Sequence, residues 1–329
     1  MILLVQRMLA SEIETRLNDP LGYLTPLAYA ARYYPLGFPA DIASNSREVL
    51  EMAHESWGAY QPRFDRLPIQ VRVIVQPGSE LRPPAPVVRG QRHLLMWVAD
   101  RENFAVCDWR ERFACAFITD ATAADRVFCR WHFLDSLIYM LLELNYFTAL
   151  HAAAVAWKGS GVLLYGESGM GKSTLSYACA RRGWTYISDD GSCLVRGSRS
   201  VIGEPHHFRF RADAPEIFTE LRGLTVGRQL ERKPTIEVLS ATLPIRTAPE
   251  CRVDHIVFLS RGAGLQASMH AIASDAVRER LLRDIPIFDP ELQERRMAAI
   301  ESISAAPGFE LRYAEFGDAV DLLEALVRE

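Results

Sequence analysis

The sequence predicts an α/β protein with a smaller α+β domain over residues 1–149 and an α/β domain over residues 150–329. One observation is the order strand, loop, helix, strand between residues 152 and 187, which is the repeating unit of α/β folds. The other is a series of short apolar runs between residues 69 and 118, separated by polar turns, which is typical of an antiparallel meander.

In the first domain, a one-sided apolar pattern after Ser44-Asn45-Ser46 predicts a helix over residues 47–57. The β-branched alternation of residues 69–75 predicts a strand, and four prolines in residues 77–86 predict a loop. Residues 124–150 are expected to form one long helical stretch. The meander strands are expected at residues 93–99, 104–108 and 114–118.

In the second domain, residues 152–157 and 162–165 are expected to form a hairpin joined by Lys158-Gly159-Ser160-Gly161. A helix over residues 173–182, ended by Gly183, leads to a strand over 184–187. The two strands that flank the helix are expected to form a parallel pair, and residues 203–235 to be loop-rich. The remaining elements are strands at 254–259 and 309–313 and helices at 275–283, 290–303 and 318–327.

The net charge, the cysteines and the apolar segments indicate which partners and which compartment to expect. A formal net charge of −4 gives no reason to expect nucleic acid or an anionic membrane as the main partner. Six cysteines without metal-binding spacing indicate buried thiols in a reducing compartment. Residues 1–10 predict an amphipathic surface element, and the apolar segment 137–157 is interrupted by polar residues before it reaches the ~20 residues that span a bilayer. We therefore expect a cytoplasmic protein.

Residues 166–173, here called the glycine loop, read Gly-Glu-Ser-Gly-Met-Gly-Lys-Ser and match the Walker A pattern G-x-x-x-x-G-K-[ST]. A predicted strand precedes the motif and a predicted helix follows it, so backbone N–H groups and the helix N-terminus would face a phosphate. Lys172 would reach the β- and γ-phosphates of ATP, and Ser173 would bind Mg²⁺. The alternative is a glycine-rich strand–helix turn without a ligand. The predicted nucleotide-binding residues are Gly166, Glu167, Ser168, Gly169, Met170, Gly171, Lys172, Ser173 and Thr174.

Lysine usage supports this assignment. Only Lys158, Lys172 and Lys233 are lysines among 37 basic residues, so arginine serves almost everywhere else. A lysine retained in the motif is consistent with a site that needs a compact ammonium group.

Two adjacent acids, Asp189 and Asp190, end the strand that follows the helix of the motif. Carboxyl ends of strands that run in the same direction meet at one edge of a sheet, so these acids are expected to face the phosphates. One would hold Mg²⁺ and the other would take the proton from an attacking hydroxyl. The alternative is a solvated Asp-Asp-Gly turn.

Taken together, these residues resemble the catalytic domain of bacterial HPr kinase/phosphorylase, whose nucleotide site is akin to that of phosphoenolpyruvate carboxykinase. In that family a histidine opens the first strand, a G-[DE]-S-G-x-G-K-S loop follows fifteen residues later, and a basic-Gly pair precedes a strand ending in Asp-Asp. The same offsets occur here from His151 through Arg182-Gly183 to Asp190. The resemblance implies a P-loop kinase core with ATP and Mg²⁺. It also implies Asp189 as the general base and Asp190 as the metal partner, although the two roles could be exchanged. His151 would lie beside these acids and tune them; the alternative is a histidine at the start of a strand that bonds to the backbone.

Residues 203–211 (GEPHHFRFR) resemble HPr-kinase-related proteins of peptide-modification gene clusters, including kinases of lasso-peptide precursors. On a strand, Arg209 and Arg211 would share one face and could hold an anionic group of the acceptor or nucleotide. The alternative is an edge strand with a charged outer face. Arg232-Lys233 is another candidate phosphate contact.

The combined prediction is a kinase that transfers the γ-phosphate of ATP to a serine-type hydroxyl of a peptide, small protein or small molecule. A second hypothesis is a regulatory or scaffold protein that binds ATP without transferring phosphate. A third is the reverse reaction with inorganic phosphate. The first domain would serve substrate recognition or assembly, and a homo-oligomer is left open.

Overall fold

A computed structural model describes residues 25–189, 191–223, 226–227, 235–283 and 289–328. The predictions for residues 1–10, Asp190 and Arg232-Lys233 lie outside these ranges. The chain divides into two compact units, Met1–Asn145 and Tyr146–Glu329. Both contain helices together with parallel and antiparallel strand pairs, so the predicted mixed α/β class is confirmed.

The first unit is built on a seven-stranded sheet with the order β1-β2-β3-β7-β6-β5-β4. Strands β2 and β3 pair in parallel, as do β3 and β7, whereas β7, β6, β5 and β4 form the antiparallel meander. The strands are β1 (Tyr29–Tyr33), β2 (Ala40–Ser44), β3 (Ile69–Gln76), β4 (Val87–Gln91), β5 (Leu94–Val98), β6 (Phe104–Asp108) and β7 (Phe113–Thr119). The predicted meander and the strand at 69–75 are confirmed, and β1, β2 and β4 were not predicted.

The helices of the first unit are α1 (Arg47–Trp57), α2 (Asp120–Ala124), α3 (Arg126–Cys129) and α4 (Ser136–Asn145). A π-helical segment, Arg130–Asp135, joins α3 to α4, and a short 3₁₀ turn covers Pro35–Gly37. Helix α1 has the predicted bounds. Its apolar side chains Val49, Met52, Ala53 and Trp57 recur at helical spacing and are buried.

The helical stretch predicted over residues 124–150 is confirmed for residues 126–145, which α3, the π-helical segment and α4 cover without a break, but residues 147–150 form a strand instead. The stretch begins after Asp125, whose carboxylate accepts from the Phe128 N–H at 3.1 Å. It ends at Asn145, whose side-chain amide donates to the carbonyls of Leu141 and Trp109 at 2.9 and 3.0 Å. The next residues form a strand in the second unit, since pairing with a distant strand satisfies their backbone groups.

The second unit contains three sheets with the orders β17-β11-β9-β10-β19-β21-β20, β18-β13-β12-β8 and β14-β16-β15. The strands are β8 (Phe147–Leu150), β9 (Ala152–Trp157), β10 (Ser160–Tyr165), β11 (Thr185–Ser188), β12 (Ser192–Val195), β13 (Ser200–Ile202), β14 (His207–Arg211), β15 (Val226–Gly227), β16 (Thr235–Leu239), β17 (Arg246–Thr247), β18 (Glu250–Arg252), β19 (His255–Arg261), β20 (Ser268–Ile272) and β21 (Gly308–Tyr313). The helices are α5 (Lys172–Arg181), α6 (Ala214–Ile217), α7 (Ser274–Arg283), α8 (Pro290–Ser304) and α9 (Phe316–Leu326), with 3₁₀ turns at Thr219–Leu221 and Ser240–Thr242.

The predicted hairpin of β9 and β10 is confirmed, with Trp157 opposite Ser160. Its two-residue turn has positive φ at both central positions, Lys158 (49°) and Gly159 (95°), as a type I′ turn requires. The predicted parallel pairing of β10 with β11 is wrong, because β9 occupies that edge of β10 and separates the two strands. Strands β10 and β11 still run in the same direction, so their carboxyl ends lie at one edge of the sheet.

Two apolar clusters cover the two faces of the seven-stranded sheet of the second unit. On one face, Val162 and Leu164 of β10 belong to the cluster of helices α5 and α9. On the other face, Leu163 and Tyr165 of the same strand belong to the cluster of helices α7 and α8. Alternation along one buried strand therefore places helices on both sides and gives three layers, as expected for a sheet with parallel strands.

The expected loop-rich stretch 203–235 instead contains strand β14 and helix α6, which corrects that prediction. Strand β14 pairs antiparallel with β16, and Phe208 and Phe210 are fully buried in a third apolar cluster. The segment forms a strand in spite of its local glycine and proline content, because pairing with β16 and burial of the two phenylalanines stabilise the extended backbone.

All six cysteines lie in the described part of the chain and none forms a disulfide. Four of them, Cys107, Cys115, Cys129 and Cys179, are buried. Burial raises the pKa of the Cys107 and Cys129 thiols to about 12. No helix in the described ranges is long and apolar enough to cross a bilayer.

Candidate active site

The glycine loop joins the carboxyl end of β10 to the first residue of α5, as predicted from the motif. Gly169 and Gly171 have φ angles of 99° and 92°, a region that side chains with a Cβ rarely adopt. At Gly171 a Cβ would also lie 2.9 Å from the Tyr313 hydroxyl oxygen. Tyr313 donates to the Met170 carbonyl at 2.7 Å, and burial raises its pKa, so strand β21 holds the loop through a neutral phenol.

Lys172 is the first residue of α5, and its side chain is folded back along the loop. The residue is only 5% exposed, and its ammonium group donates to the Gly166 carbonyl at 2.8 Å. The same nitrogen lies 3.1 Å from Nε2 of His151, which precedes β9. The structure therefore brings together two of the predicted site residues, and it places His151 against the lysine of the motif.

Ser173 and Asp189 meet where the start of α5 faces the end of β11. The Ser173 hydroxyl donates to the backbone carbonyl of Asp189 at 3.3 Å. Asp189 directly follows β11, and its Oδ2 accepts from the backbone N–H of Arg209 at 2.9 Å. The half-buried Asp189 carboxylate is thus oriented by strand β14. The direction of the strands, which the sequence predicts, brings Asp189 to the loop, but no sequence pattern indicated the Arg209 N–H donor.

Strand β14 also sends a side chain over the glycine loop. Arg211 is exposed and donates from Nη2 to the Ser168 hydroxyl at 3.4 Å. The alternation Phe-Arg-Phe-Arg predicted that Arg209 and Arg211 share a face opposite to the phenylalanines. The structure agrees, since both phenylalanines are buried, but the contact with Ser168 could not be read from the alternation alone.

An aromatic cluster fixes β14 to helix α5. The ring of Tyr177 on α5 makes edge contacts with Phe208 and Phe210, with ring centroids 5.2 and 4.9 Å apart. The Tyr177 hydroxyl donates to Glu220 at 3.1 Å, and Arg181 pairs with the same carboxylate at 2.9 Å. Burial raises the pKa of Tyr177 to about 12, so its hydroxyl remains a donor. Because α5 begins in the glycine loop, the cluster fixes β14 relative to the loop.

The residues present are compatible with the phosphates of a nucleotide and with Mg²⁺. The loop offers backbone N–H groups in left-handed turns, a helix N-terminus and the ammonium of Lys172. Within the described ranges, no group of three or more His, Cys, Asp or Glu side chains could hold a metal ion alone. Mg²⁺ commonly takes one or two carboxylates and completes its shell with phosphates and water, so Ser173 with a neighbouring aspartate is a sufficient set.

The chain is similar in sequence to a curated protein named HPr kinase/phosphorylase from Mycoplasmopsis pulmonis. The two are 28% identical over 125 residues, which cover 37% of this chain and 35% of that protein. This chain resembles HPr kinase/phosphorylase. The resemblance predicted from residues 151–190 is thereby confirmed, although the HPr-kinase-like match spans only about a third of the curated relative's length.

The HPr-kinase-like chain also matches a solved structure, the Hpr(Ser) kinase/phosphatase from Coxiella burnetii. That comparison has a TM-score of 0.29 and 17% sequence identity, and it covers 55% of this chain and 94% of the other. No protein-family model matches the chain.

Proposed function

We propose that the second unit is an ATP- and Mg²⁺-dependent kinase with a P-loop core, which transfers the γ-phosphate to a serine-type hydroxyl. The observation that carries the proposal is the meeting of Lys172, Ser173 and Asp189 at one edge of the sheet. A basic group on the glycine loop, a hydroxyl at the start of α5 and an oriented carboxylate opposite them are the parts that phosphoryl transfer needs. The similarity to a protein named as a kinase/phosphorylase supports the same class of reaction.

In this proposal the acceptor oxygen attacks the γ-phosphorus of ATP. The new O–P bond forms as the bond from γ-phosphorus to the bridging oxygen breaks, and ADP leaves with that electron pair. Asp189 accepts the proton of the acceptor hydroxyl, and the Arg209 N–H keeps its carboxylate aimed at the loop. Lys172 exchanges its bonds with Gly166 and His151 for the β- and γ-phosphates.

Mg²⁺ would neutralise charge on the β- and γ-phosphate oxygens, and Ser173 and Asp190 are the residues proposed to hold it. Glu167, Met170 and Thr174 complete the proposed nucleotide-binding segment. His151, which lies against Lys172, would set the position of that ammonium group and the balance of charge beside the acids.

The acceptor is proposed to be a peptide, a small protein or a small molecule. The name of the curated relative states that it is a kinase and phosphorylase of HPr. For this chain we propose a hydroxyl of the serine type, and the first unit is proposed to recognise the acceptor or to serve assembly.

The test is the consumption of the γ-phosphate of ATP with Mg²⁺, in the presence of free serine and of peptides encoded beside the gene. Lys172→Ala and Asp189→Ala are compared with wild type, and Lys158→Ala in the β9–β10 turn is the matched lysine control. A kinase loses acceptor-dependent turnover with either site change, by about 10²–10⁴-fold for the base, and keeps it in the control.

Other outcomes distinguish the remaining hypotheses. Tight ATP binding without turnover on any acceptor, with the binding kept in Asp189→Ala and lost in Lys172→Ala, would support the regulatory protein instead. Loss of phosphate from the phosphorylated product when inorganic phosphate replaces ATP would demonstrate the reverse reaction.

A further inference from the structure

Arg211 lies beside the glycine loop, but the proposed kinase reaction assigns it no role. Its Nη2 donates to the Ser168 hydroxyl at 3.4 Å, and a Cβ built on Gly169 would lie 3.6 Å from Nη2 and 3.8 Å from Nη1. Both terminal nitrogens of the guanidinium group therefore face the glycine loop between its third and fourth residues. The side chain comes from β14, a strand outside the sheet that carries the loop.

A guanidinium group at this position has donors left for a ligand. Arginine carries five N–H donors in a planar fork, and the contact with Ser168 uses one of them. In the described part of the chain, no carboxylate forms an ion pair with Arg211. The planar fork matches two phosphate oxygens at once, which a lysine ammonium cannot do.

Strand β14 fixes the backbone of Arg211, from which the exposed side chain extends. Phe208 and Phe210 are 0% and 1% exposed and pack against helix α5, and alternation along the strand turns Arg209 and Arg211 the other way. The backbone N–H of Arg209 binds the Asp189 carboxylate, so the strand is tied to both sides of the candidate site. The backbone from which the Arg211 side chain extends is therefore fixed relative to Asp189 and helix α5.

We propose that Arg211 is a catalytic residue that donates to the γ-phosphate of ATP and stabilises the charge of the transferred phosphoryl group. This inference rests on the proposed kinase function. It makes β14 the element that supplies both the orientation of the base and a positive charge in cis. An arginine in this role strengthens binding of ATP over ADP and accelerates transfer.

The experiment measures the dissociation constants of Mg·ATP and Mg·ADP by calorimetry, together with acceptor-dependent kcat. The variants are Arg211→Ala, Arg211→Lys and the control Arg246→Ala. Arg246 is also exposed, but it pairs with Thr185 at the far end of β11 from Asp189. Circular dichroism and thermal midpoints verify that each variant is folded.

For Arg211→Ala we expect ATP affinity to fall about 10- to 100-fold, the effect of losing a charge-assisted hydrogen bond. ADP affinity should change by less than about twofold, and kcat should fall at least about 10²-fold. Arg211→Lys should recover part of the ATP affinity because it retains the charge, and Arg246→Ala should match wild type.

Two results would overturn the inference while leaving the kinase intact. One is wild-type ATP affinity and kcat in Arg211→Ala, and the other is an equal loss of ATP and ADP affinity, which would place the contact away from the γ-phosphate. If wild type itself binds no ATP, the proposed function fails, and the role of Arg211 fails with it.

Discussion

Replacing Phe208 with alanine should remove the contact that seats strand β14 against the rest of the second unit. The Phe208 ring is fully buried and stacks on Tyr186, with ring centroids 3.8 Å apart and planes inclined by 29°. It also lies 5.2 Å from the Tyr177 ring and 5.4 Å from the Phe210 ring. The change therefore empties the centre of an aromatic cluster formed by a strand of each of two sheets and a helix.

The expected loss is about 4 kcal/mol in the free energy of unfolding, within the range of about 3–5 kcal/mol for buried phenylalanine to alanine changes. The expected loss lies above the lower limit of the range because three rings lose a neighbour, and aromatic pairs add about 0.5–1.5 kcal/mol each beyond area burial. Collapse of the cavity is restricted, since Tyr177 is held by Glu220 and β14 is paired with β16.

The assay is native-state hydrogen exchange resolved by peptide, since a single unfolding transition is not assured for a chain of two units. Peptides from residues 185–189 and 207–211 should exchange faster, while peptides from the first unit should not change. Phe104→Ala is the control, because Phe104 is only half-buried in the first unit and stacks on a single ring, that of Phe117, so the change should cost less than Phe208→Ala. A loss below about 1 kcal/mol for Phe208→Ala, with unchanged exchange at 207–211, would refute the role assigned to the ring.

Three further predictions concern the second unit. Gly171→Ala should lower ATP affinity at least tenfold and lower the free energy of unfolding by about 1–3 kcal/mol, because φ is 92° and the new Cβ would lie 2.9 Å from the Tyr313 oxygen. Calorimetry measures the affinity and urea unfolding measures the stability, and wild-type affinity would contradict the prediction. Burial raises the pKa of Tyr177 from 10.0 to about 12, so the contribution of its neutral hydroxyl to stability is complete below pH 10 and is lost as the pH rises towards 12. Unfolding measured as a function of pH should show this alkaline loss in wild type and not in Tyr177→Phe. Burial lowers the pKa of His255 below 6.5, so the contribution of the neutral imidazole to the free energy of unfolding is present above pH 6.5 and is lost as the solution is acidified. His255→Gln should therefore flatten the acid side of the curve of thermal midpoint against pH, and an unchanged acid side would disprove this role of His255.

Elements decided by neighbouring residues could be predicted from the sequence. Helix α1 and the β9–β10 hairpin follow from apolar spacing, turn residues and β-branched alternation, all of which act within a few positions. Strand direction then brings Asp189 to the glycine loop even though β9 lies between β10 and β11.

Elements decided by distant partners could not be predicted in the same way. Strand β8 has the apolar character that continues a helix, and only its pairing with β12 makes it a strand. The contacts that complete the candidate site are equally remote, since Ser168 and Arg211 are 43 residues apart and Met170 and Tyr313 are 143 apart. Such contacts cannot be predicted from the periodicity of a short sequence window, because the two residues lie too far apart in the chain to share one local pattern.

The buried cysteines can be used to measure how fast each unit of this chain opens locally. Cys107 and Cys129 lie in the first unit and Cys179 lies in the second, each is shielded in the folded chain, and burial raises the pKa of each thiol. A shielded thiol whose pKa is raised reacts with an alkylating reagent only after its surroundings open, because the thiolate is the reactive form. Mass-spectrometric counting of alkylated sites over time would therefore time the opening of each unit separately, in the unmodified chain and without an attached dye.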